Sequence, residues 1–442
     1  MKDTISAIST PLAASGVAII RVSGEESKQI AKKVFKSFDK SLKDFEPNKM
    51  YVGEISCGDF TDVGMLVYFK GPKSFTGEDT IELHCHGGVA IAKAVFKQTL
   101  KCGARPAGAG EFTKRAFING KLSLSSCEGL IDMINSQSEG SARAGAYLYR
   151  EKLTKKVNAM QQILTDVLAE IDADMDFPEE DLEKTSVENV KVLIKDVLEK
   201  TNALLSTFNS GRVVLSGVKV GIIGKPNTGK SSLLNALLSY EKAIVSDVAG
   251  TTRDIVEGSL DLDGVRFNFL DTAGIRDAVD QIENLGVMLS KRVLDESDLI
   301  LFVVDGSDLQ EDDQKIYELV KDKNAIVVQN KQDRCNKKWP KADIIISATT
   351  GEGIEELKDL MKEKSSSSID FSSDFLCEER HFDALTRVKE KLESALSSID
   401  LVTADLLSID VKLAWDALGE ITGVTASEKI IDNIFSKFCV GK

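Results

Sequence analysis

The chain has 442 residues, of which 42% are apolar and seven are cysteines, and it carries a net charge of −14. This length predicts about three domains of ordinary size, and no apolar run approaches the roughly 18 residues that a membrane span needs. The acidic balance excludes a generic nucleic-acid-coating protein, so any RNA contact must be local, and an odd cysteine count without a Cys-x-x-Cys pair excludes a disulfide framework or zinc ribbon and fits a reducing compartment.

Met1-Lys2-Asp3-Thr4-Ile5 carries neither a secretory core nor an arginine-rich transit pattern, so a cytoplasmic location is expected. Up to about residue 118, strand-like runs (Val17 to Val22, Gly64 to Phe69, Thr80 to Leu83) mix with a helical stretch, Lys28 to Phe35, which predicts an α/β or α+β domain. His84-Cys85-His86 invites a metal reading, but alternating residues of a strand project to opposite faces, which favours a structural role. From about 122 to 210 the pattern is helical: Val190, Leu193, Ile194, Val197 and Leu198 share one face, and Thr185-x-x-Glu188 has the form of a capping box. A basic cluster (Arg143, Arg150, Lys152, Lys155, Lys156) and an acidic one (Asp172 to Asp181) read most simply as solvated faces.

Residues 216 to 364 carry the most specific chemistry. The apolar run Val218 to Ile223 delivers Gly224-Lys225-Pro226-Asn227-Thr228-Gly229-Lys230-Ser231 into an amphipathic segment that begins at Ser232. This is a P-loop: its glycines let backbone N–H groups surround phosphates, Lys230 reaches the β and γ oxygens, and the Ser231 hydroxyl suits Mg²⁺. Ser246-Asp247-Val248-Ala249-Gly250-Thr251-Thr252 leads through a switch I candidate, and the strand-like Phe267 to Leu270 ends in Asp271-Thr272-Ala273-Gly274, which suits the metal shell and the γ-phosphate. Asn330-Lys331-Gln332-Asp333 supplies a carboxylate that accepts from N1–H and the 2-amino group of guanine, so the expected nucleotide is GTP, with Ser347-Ala348-Thr349 behind the base.

Where Ras-like proteins place a water-orienting glutamine this chain has Ile275, which leaves Asp277, Asp280 and Glu283 as acidic candidates. On its own, Glu283 reads as a solvated helix residue. No arginine finger is evident, and a monovalent cation on the Asn227 oxygen could supply that charge. Ser365 to Ser368 reads as a flexible linker, and helical periodicity resumes from Arg380 to Phe438. The expected organisation is multidomain, α/β plus all-α: an N-terminal domain (1–118), a helical domain in two parts (119–212 and 369–442) and an inserted Ras-like P-loop GTPase domain (216–364).

End to end, the chain resembles the tRNA-modification GTPases called MnmE or TrmE. The resemblance rests on Thr4-Ile5 to Pro11, Arg21-Val22-Ser23-Gly24, Ser74-Phe75-Thr76-Gly77-Glu78-Asp79, His86-Gly87-Gly88, Gly110 to Phe117, Asn119-Gly120-Lys121, Asp176-Phe177-Pro178-Glu179-Glu180 and the closing Phe438-Cys439-Val440-Gly441-Lys442. It implies a homodimer formed through N-terminal folate-binding domains that take 5,10-methylene-tetrahydrofolate or a related folate, with Arg21, Glu82, Lys121 and Lys442 at the matching positions. It implies K⁺ held by Asn227, Thr251 and the backbone oxygens of Ser246 and Val248, Mg²⁺ held by Ser231 and Thr252, and Glu283 positioning the attacking water. It further implies installation of an aminomethyl or carboxymethylaminomethyl group at C5 of the wobble uridine of certain tRNAs, jointly with an FAD-dependent partner called MnmG or GidA. Cys439 belongs to a tail expected near the folate, as a candidate catalytic thiol. The Gly-Lys ending matches a prenylation box poorly. This chain departs from common family residues at Ala13 or Ala14, Ala109 and Thr228. Two alternatives remain open at this level: a ribosome-assembly regulatory GTPase, and a folate-dependent transferase acting alone.

Overall fold

Alternating residues in the N-terminal third build one face of a sheet for burial and leave the other outside that core. A computed structural model describes residues 3–176, 185–239, 256–270, 293–334, 338–366 and 375–442. The chain divides into two units, one comprising Met1–Ile131, Tyr147–Lys200 and Ala384–Lys442, the other Asp132–Ala146 and Thr201–Asp383.

In the first unit, β1 (Ile5–Ile8), β2 (Ser15–Ser23), β3 (Phe35–Ser37), β4 (Met50–Ser56), β5 (Thr61–Phe69), β6 (Thr80–Gly87) and β7 (Arg105–Pro106) form a sheet in the order β3-β4-β5-β6-β2-β1-β7. All neighbours are antiparallel except β1 and β7. One face buries Ile20, Val22, Ile81, Leu83 and Leu66 with Ile30 of helix Ser27–Val34 and Val95 of helix Val89–Lys101. The register sets Arg21 directly opposite Glu82 on the other face, because side chains alternate with a period of two. The expected helix from Lys28 to Phe35 is one residue shorter at its end, since Phe35 turns into β3.

Helices Lys152–Asp176 and Ala404–Thr422 pack together in this unit. Gln161 Nε2 donates to the Trp415 carbonyl at 3.0 Å, and Trp415 Nε1 donates to Thr165 Oγ1 at 3.0 Å. Near the C-terminus, Ile434, Phe435 and Phe438 bury against Leu124 and Cys127.

In the second unit, β8 (Val218–Ile223), β9 (Val256–Leu262), β10 (Val265–Leu270), β11 (Leu299–Asp305), β12 (Ala325–Asn330) and β13 (Ile344–Ile345) form a sheet in the order β13-β12-β11-β8-β10-β9, parallel except for β9. The continuous apolar run of β11 is that of a strand covered on both faces: Leu299, Leu301 and Val303 join one core, while Ile300, Phe302 and Val304 join another. Helices Lys230–Ser239 and Ile354–Ser366 contribute Leu233, Leu237, Leu357 and Met361 to the first of these cores. The second of these helices takes in Ser365 and Ser366, the first half of the serine run expected to be a linker.

Candidate functional site

The P-loop lies between the C-terminal end of β8 and helix Lys230–Ser239, the end of a parallel sheet where open α/β folds bind ligands. Its glycines are sterically required. Gly224 has φ +152°, and a Cβ there would meet the Val303 carbonyl oxygen at 2.2 Å; Gly229 has φ +94°, and its Cβ would meet Asn330 Nδ2 at 2.3 Å. Asn227 also sits at positive φ, +65°, a conformation that asparagine tolerates.

Four of the loop's carbonyls, those of Gly224, Lys225, Asn227 and Thr228, accept side-chain hydrogen bonds. Lys230 Nζ donates to the carbonyls of Gly224 (2.9 Å) and Lys225 (2.7 Å), and the buried Thr228 hydroxyl donates to the Lys225 carbonyl at 3.0 Å. Lys331 Nζ donates to the Asn227 carbonyl at 2.9 Å and pairs with Asp305 at 2.6 Å. Asn330 Nδ2 donates to the Thr228 carbonyl at 3.0 Å. With these carbonyls occupied, the backbone N–H groups are the loop's groups suited to an anion. Burial pushes the Asp305 carboxyl up, but its bonds from Lys331 and Ser307 outweigh burial and hold it below the ordinary range.

The segments at 330–333 and 347–349 meet. Asn330 Oδ1 accepts from the Ala348 N–H at 3.0 Å, and Ser347 donates to Asp333 at 2.8 Å, which leaves the Asp333 carboxylate oriented and a third exposed. Thr349 follows as an exposed residue, and Ser231 and Ser232 lie in the first turn of the P-loop helix. Ser246, Asp247, Val248, Ala249, Gly250, Thr251, Thr252, Asp271, Thr272, Ala273, Gly274 and Glu283 lie outside the described residues, as do Phe177 to Glu180 of the helical signature.

In the first unit, Arg21 Nε and a terminal nitrogen both approach Glu82 Oε1 at 2.8 Å, in a setting where both side chains are less than a fifth exposed. The guanidinium stands 5.6 Å from the Phe75 ring centre and 5.7 Å from that of Phe112. Burial pushes the Glu82 carboxyl up; the hydrogen bond from His84 and the charge of Arg21 outweigh it, so the carboxyl is held below its usual range. Lys121 Nζ donates to the Pro72 carbonyl at 3.0 Å, so Lys121 and Arg21 both touch the loop from Pro72 to Phe75. The C-terminal tail returns to this unit through a bridge between Ala109 and Val440, with the Gly110 N–H on the Cys439 carbonyl at 3.4 Å and Gly441 against Ile8. The backbone N–H of Lys442 closes on the Cys439 carbonyl, and the Cys439 side chain is exposed.

The histidine reading needs a correction. His84 and His86 share the non-core face, because residues two apart on a strand point the same way; only Cys85 faces the core. They are engaged separately, His84 with Glu82 at 3.4 Å and His86 with Asp62 at 2.7 Å, and no group of three metal-ligating side chains exists among the described residues.

What sequence reasoning missed is the scaffold behind the phosphate loop. Asp305, at the end of β11, follows the apolar strand in a common Asp-Gly-Ser turn, and nothing local assigns it to Lys331. Among the described residues no helix is long and apolar enough to cross a membrane.

Residues 4–121 match the family model of the GTP-binding protein TrmE N-terminus, and residues 124–439 match that of the MnmE helical domain. The tRNA modification GTPase MnmE of Natranaerobius thermophilus is 38% identical over 459 residues, covering 100% of both chains. That of Aquifex aeolicus is 39% identical over 452 residues, again covering 100% of both, and that of Caldicellulosiruptor saccharolyticus is 38% identical over 453 residues, covering 100% of this chain and 99% of its own. With both family models matched along it and relatives matched from end to end, this chain belongs to the tRNA modification GTPase MnmE family.

Proposed function

We propose that this GTPase couples GTP hydrolysis to installation of an aminomethyl or carboxymethylaminomethyl group at C5 of the wobble uridine of certain tRNAs. It does so as a cytoplasmic homodimer with an FAD-dependent MnmG-type partner, and a tetrahydrofolate derivative supplies the one-carbon unit. The observation that carries this reading is the full-length match to relatives named as tRNA modification GTPases. The domain limits given above, an N-terminal domain (1–118), a helical domain in two parts and a GTPase domain (216–364), belong to the same proposal.

The donor set of the first unit fits a folate in charge and shape. Glutamate carboxylates of the ligand suit Lys121 and Lys442, its flat pterin suits the aromatic surround of Arg21, and its amide edge suits the carboxylate of Glu82. When bound, the folate supplies the activated carbon; the residues of this chain bind and orient it. The exposed Cys439 thiol is proposed to stand beside it on the returning tail.

In the GTPase unit, Lys230 neutralises charge on the β and γ oxygens, and Ser231 is the proposed Mg²⁺ ligand together with Thr252. The proposed K⁺ site combines the Asn227 side chain with Thr251, Ser246 and Val248. Glu283 takes the water-orienting role that Ile275 cannot fill.

The test is mass spectrometry of tRNA nucleosides from cells lacking the gene, complemented with wild type or Glu283→Ala. Loss of the C5-modified wobble uridine, restored only by wild type, supports the proposal. An unchanged profile in cells without a redundant enzyme would replace it with a ribosome-assembly switch.

A further inference from the structure

The second residue of the phosphate loop, Lys225, reaches away from the nucleotide side. Its ammonium lies 2.8 Å from Oδ2 of Asp313, in a pair where the lysine side chain is 16% exposed and the aspartate 1%. Asp313 stands in the first turn of helix Glu311–Val320, the helix that follows β11, and its Oδ2 also accepts from the Gln310 N–H at 2.9 Å as part of a capping box. Its other oxygen has no hydrogen-bond partner among the described residues, so the Lys225 ammonium is the cation that neutralises a buried carboxylate.

The backbone of Lys225 is where this anchoring matters. Its carbonyl oxygen accepts from Lys230 Nζ at 2.7 Å and from the Thr228 hydroxyl at 3.0 Å. Three parts of the phosphate cradle therefore converge on one peptide group: the lysine that meets the β and γ oxygens, the buried residue beneath the loop, and Lys225 itself, whose side chain is tied to a neighbouring helix. On the opposite side Lys331 and Asn330 hold the carbonyls of Asn227 and Thr228.

We infer that Lys225 and Asp313 are positioning residues for GTP. By fixing the Lys225 peptide against helix Glu311–Val320, the ion pair holds the loop in its phosphate-binding shape and keeps Lys230 aimed at the phosphates. Neither side chain touches the nucleotide. The pair acts through Lys230, and it makes the start of that helix a place from which phosphate affinity is set.

The full-length protein tests this with Lys225→Met, Asp313→Asn, Lys225→Arg and the double variant Lys225→Met/Asp313→Asn. GTP and GDP affinities are measured by titration with a fluorescent nucleotide, alongside steady-state GTP hydrolysis and melting temperature without nucleotide. Each charge-removing single variant should weaken both nucleotides about ten-fold, the scale of one charge-assisted hydrogen bond, and raise KM more than it lowers kcat. Lys225→Arg should stay within about two-fold of wild type, and the double variant should bind no more weakly than either single one, because both remove the same interaction. Asp313→Asn keeps an oxygen for the Gln310 N–H, so loss of the helix cap does not imitate the result. If a single variant fails to fold for want of a partner to its buried charge, the double variant, which buries no unpaired charge, decides. A folded double variant with wild-type affinity would overturn the inference, as would ten-fold weakening by each change that multiplies in the double.

Discussion

Asn330 joins the base-reading loop to the phosphate loop through one amide group: its nitrogen donates to the Thr228 carbonyl and its oxygen accepts from the Ala348 N–H, both at 3.0 Å. The side chain is buried, so neither bond is replaced by water when it is removed. Asn330→Ala should therefore weaken GTP binding by at least ten-fold, with the loss seen equally for GDP, because the affected contacts hold the base and the β-phosphate region. Calorimetric titration of both nucleotides checks this; an effect confined to GTP would contradict it.

Asp333 is aligned by the Ser347 hydroxyl at 2.8 Å. In the proposed guanine-reading role its carboxylate would accept two donors from the base, and an amide at the same place would offer one donor and one acceptor, matching a base with a carbonyl at position 2. Asp333→Asn should lower GTP affinity about 100-fold or more and raise that for xanthosine triphosphate, a loss of roughly 3 kcal/mol for leaving a charged hydrogen-bonding site unmatched. Competition between the two nucleotides reads the exchange directly.

Much of this site was legible in the sequence because its elements are local. The glycines at 224 and 229 are required by backbone approach to Val303 and Asn330, and the four-residue element at 330–333 carries its own turn, with Lys331 at φ +66°. What was not legible is pairing across the sheet. Arg21 meets Glu82 only because β2 and β6 align in one register, and Lys225 meets Asp313 only because the helix after β11 starts beside the loop. The shared face of His84 and His86 follows from the two-residue period of β6 alone, whereas the pairing of His86 with Asp62 needs β5 beside β6.

Glu111 gives the first unit an acid-sensitive contact. Burial pushes its carboxyl up, but hydrogen bonds from Arg105, the Gly108 N–H and Arg115 outweigh burial and bring it to about 2. A carboxyl depressed on folding stabilises the fold fully above its unfolded value near 4.5, and that contribution is lost as pH falls from there toward 2. Wild type should lose about 2 kcal/mol more than Glu111→Gln between pH 6 and 3. Urea midpoints at the two pH values measure the difference; parallel losses would show that the carboxyl is not the sensitive group.

The Arg21–Glu82 pair tests the proposed folate surface apart from nucleotide chemistry. Arg21→Ala leaves a largely buried carboxylate with His84 as its remaining named partner, and should cost about 1–3 kcal/mol of stability while raising the Glu82 pKa. Titration with a reduced folate should show affinity lost by at least ten-fold, with GTP affinity unchanged because the nucleotide loops belong to the other unit. Folate binding unaffected by this change would remove Arg21 from the proposed site.

The Asn227 position argues for a cation requirement. Its backbone is fixed at φ +65°, and its carbonyl is already taken by Lys331, so the side-chain oxygen is the group left to serve an ion beside the phosphates. No arginine finger stands out in the sequence, and a monovalent cation there would supply equivalent charge where it develops during hydrolysis. Potassium accepts a larger oxygen cage than sodium does, so GTP turnover at equal ionic strength should be at least ten-fold faster in K⁺ than in Na⁺, roughly 1.4 kcal/mol of barrier. Asn227→Ala should bring the K⁺ rate down to the Na⁺ rate while leaving the Na⁺ rate nearly unchanged. Equal wild-type rates in the two salts would sink the cation argument, whereas a K⁺ preference that survives Asn227→Ala would move the ion to other ligands.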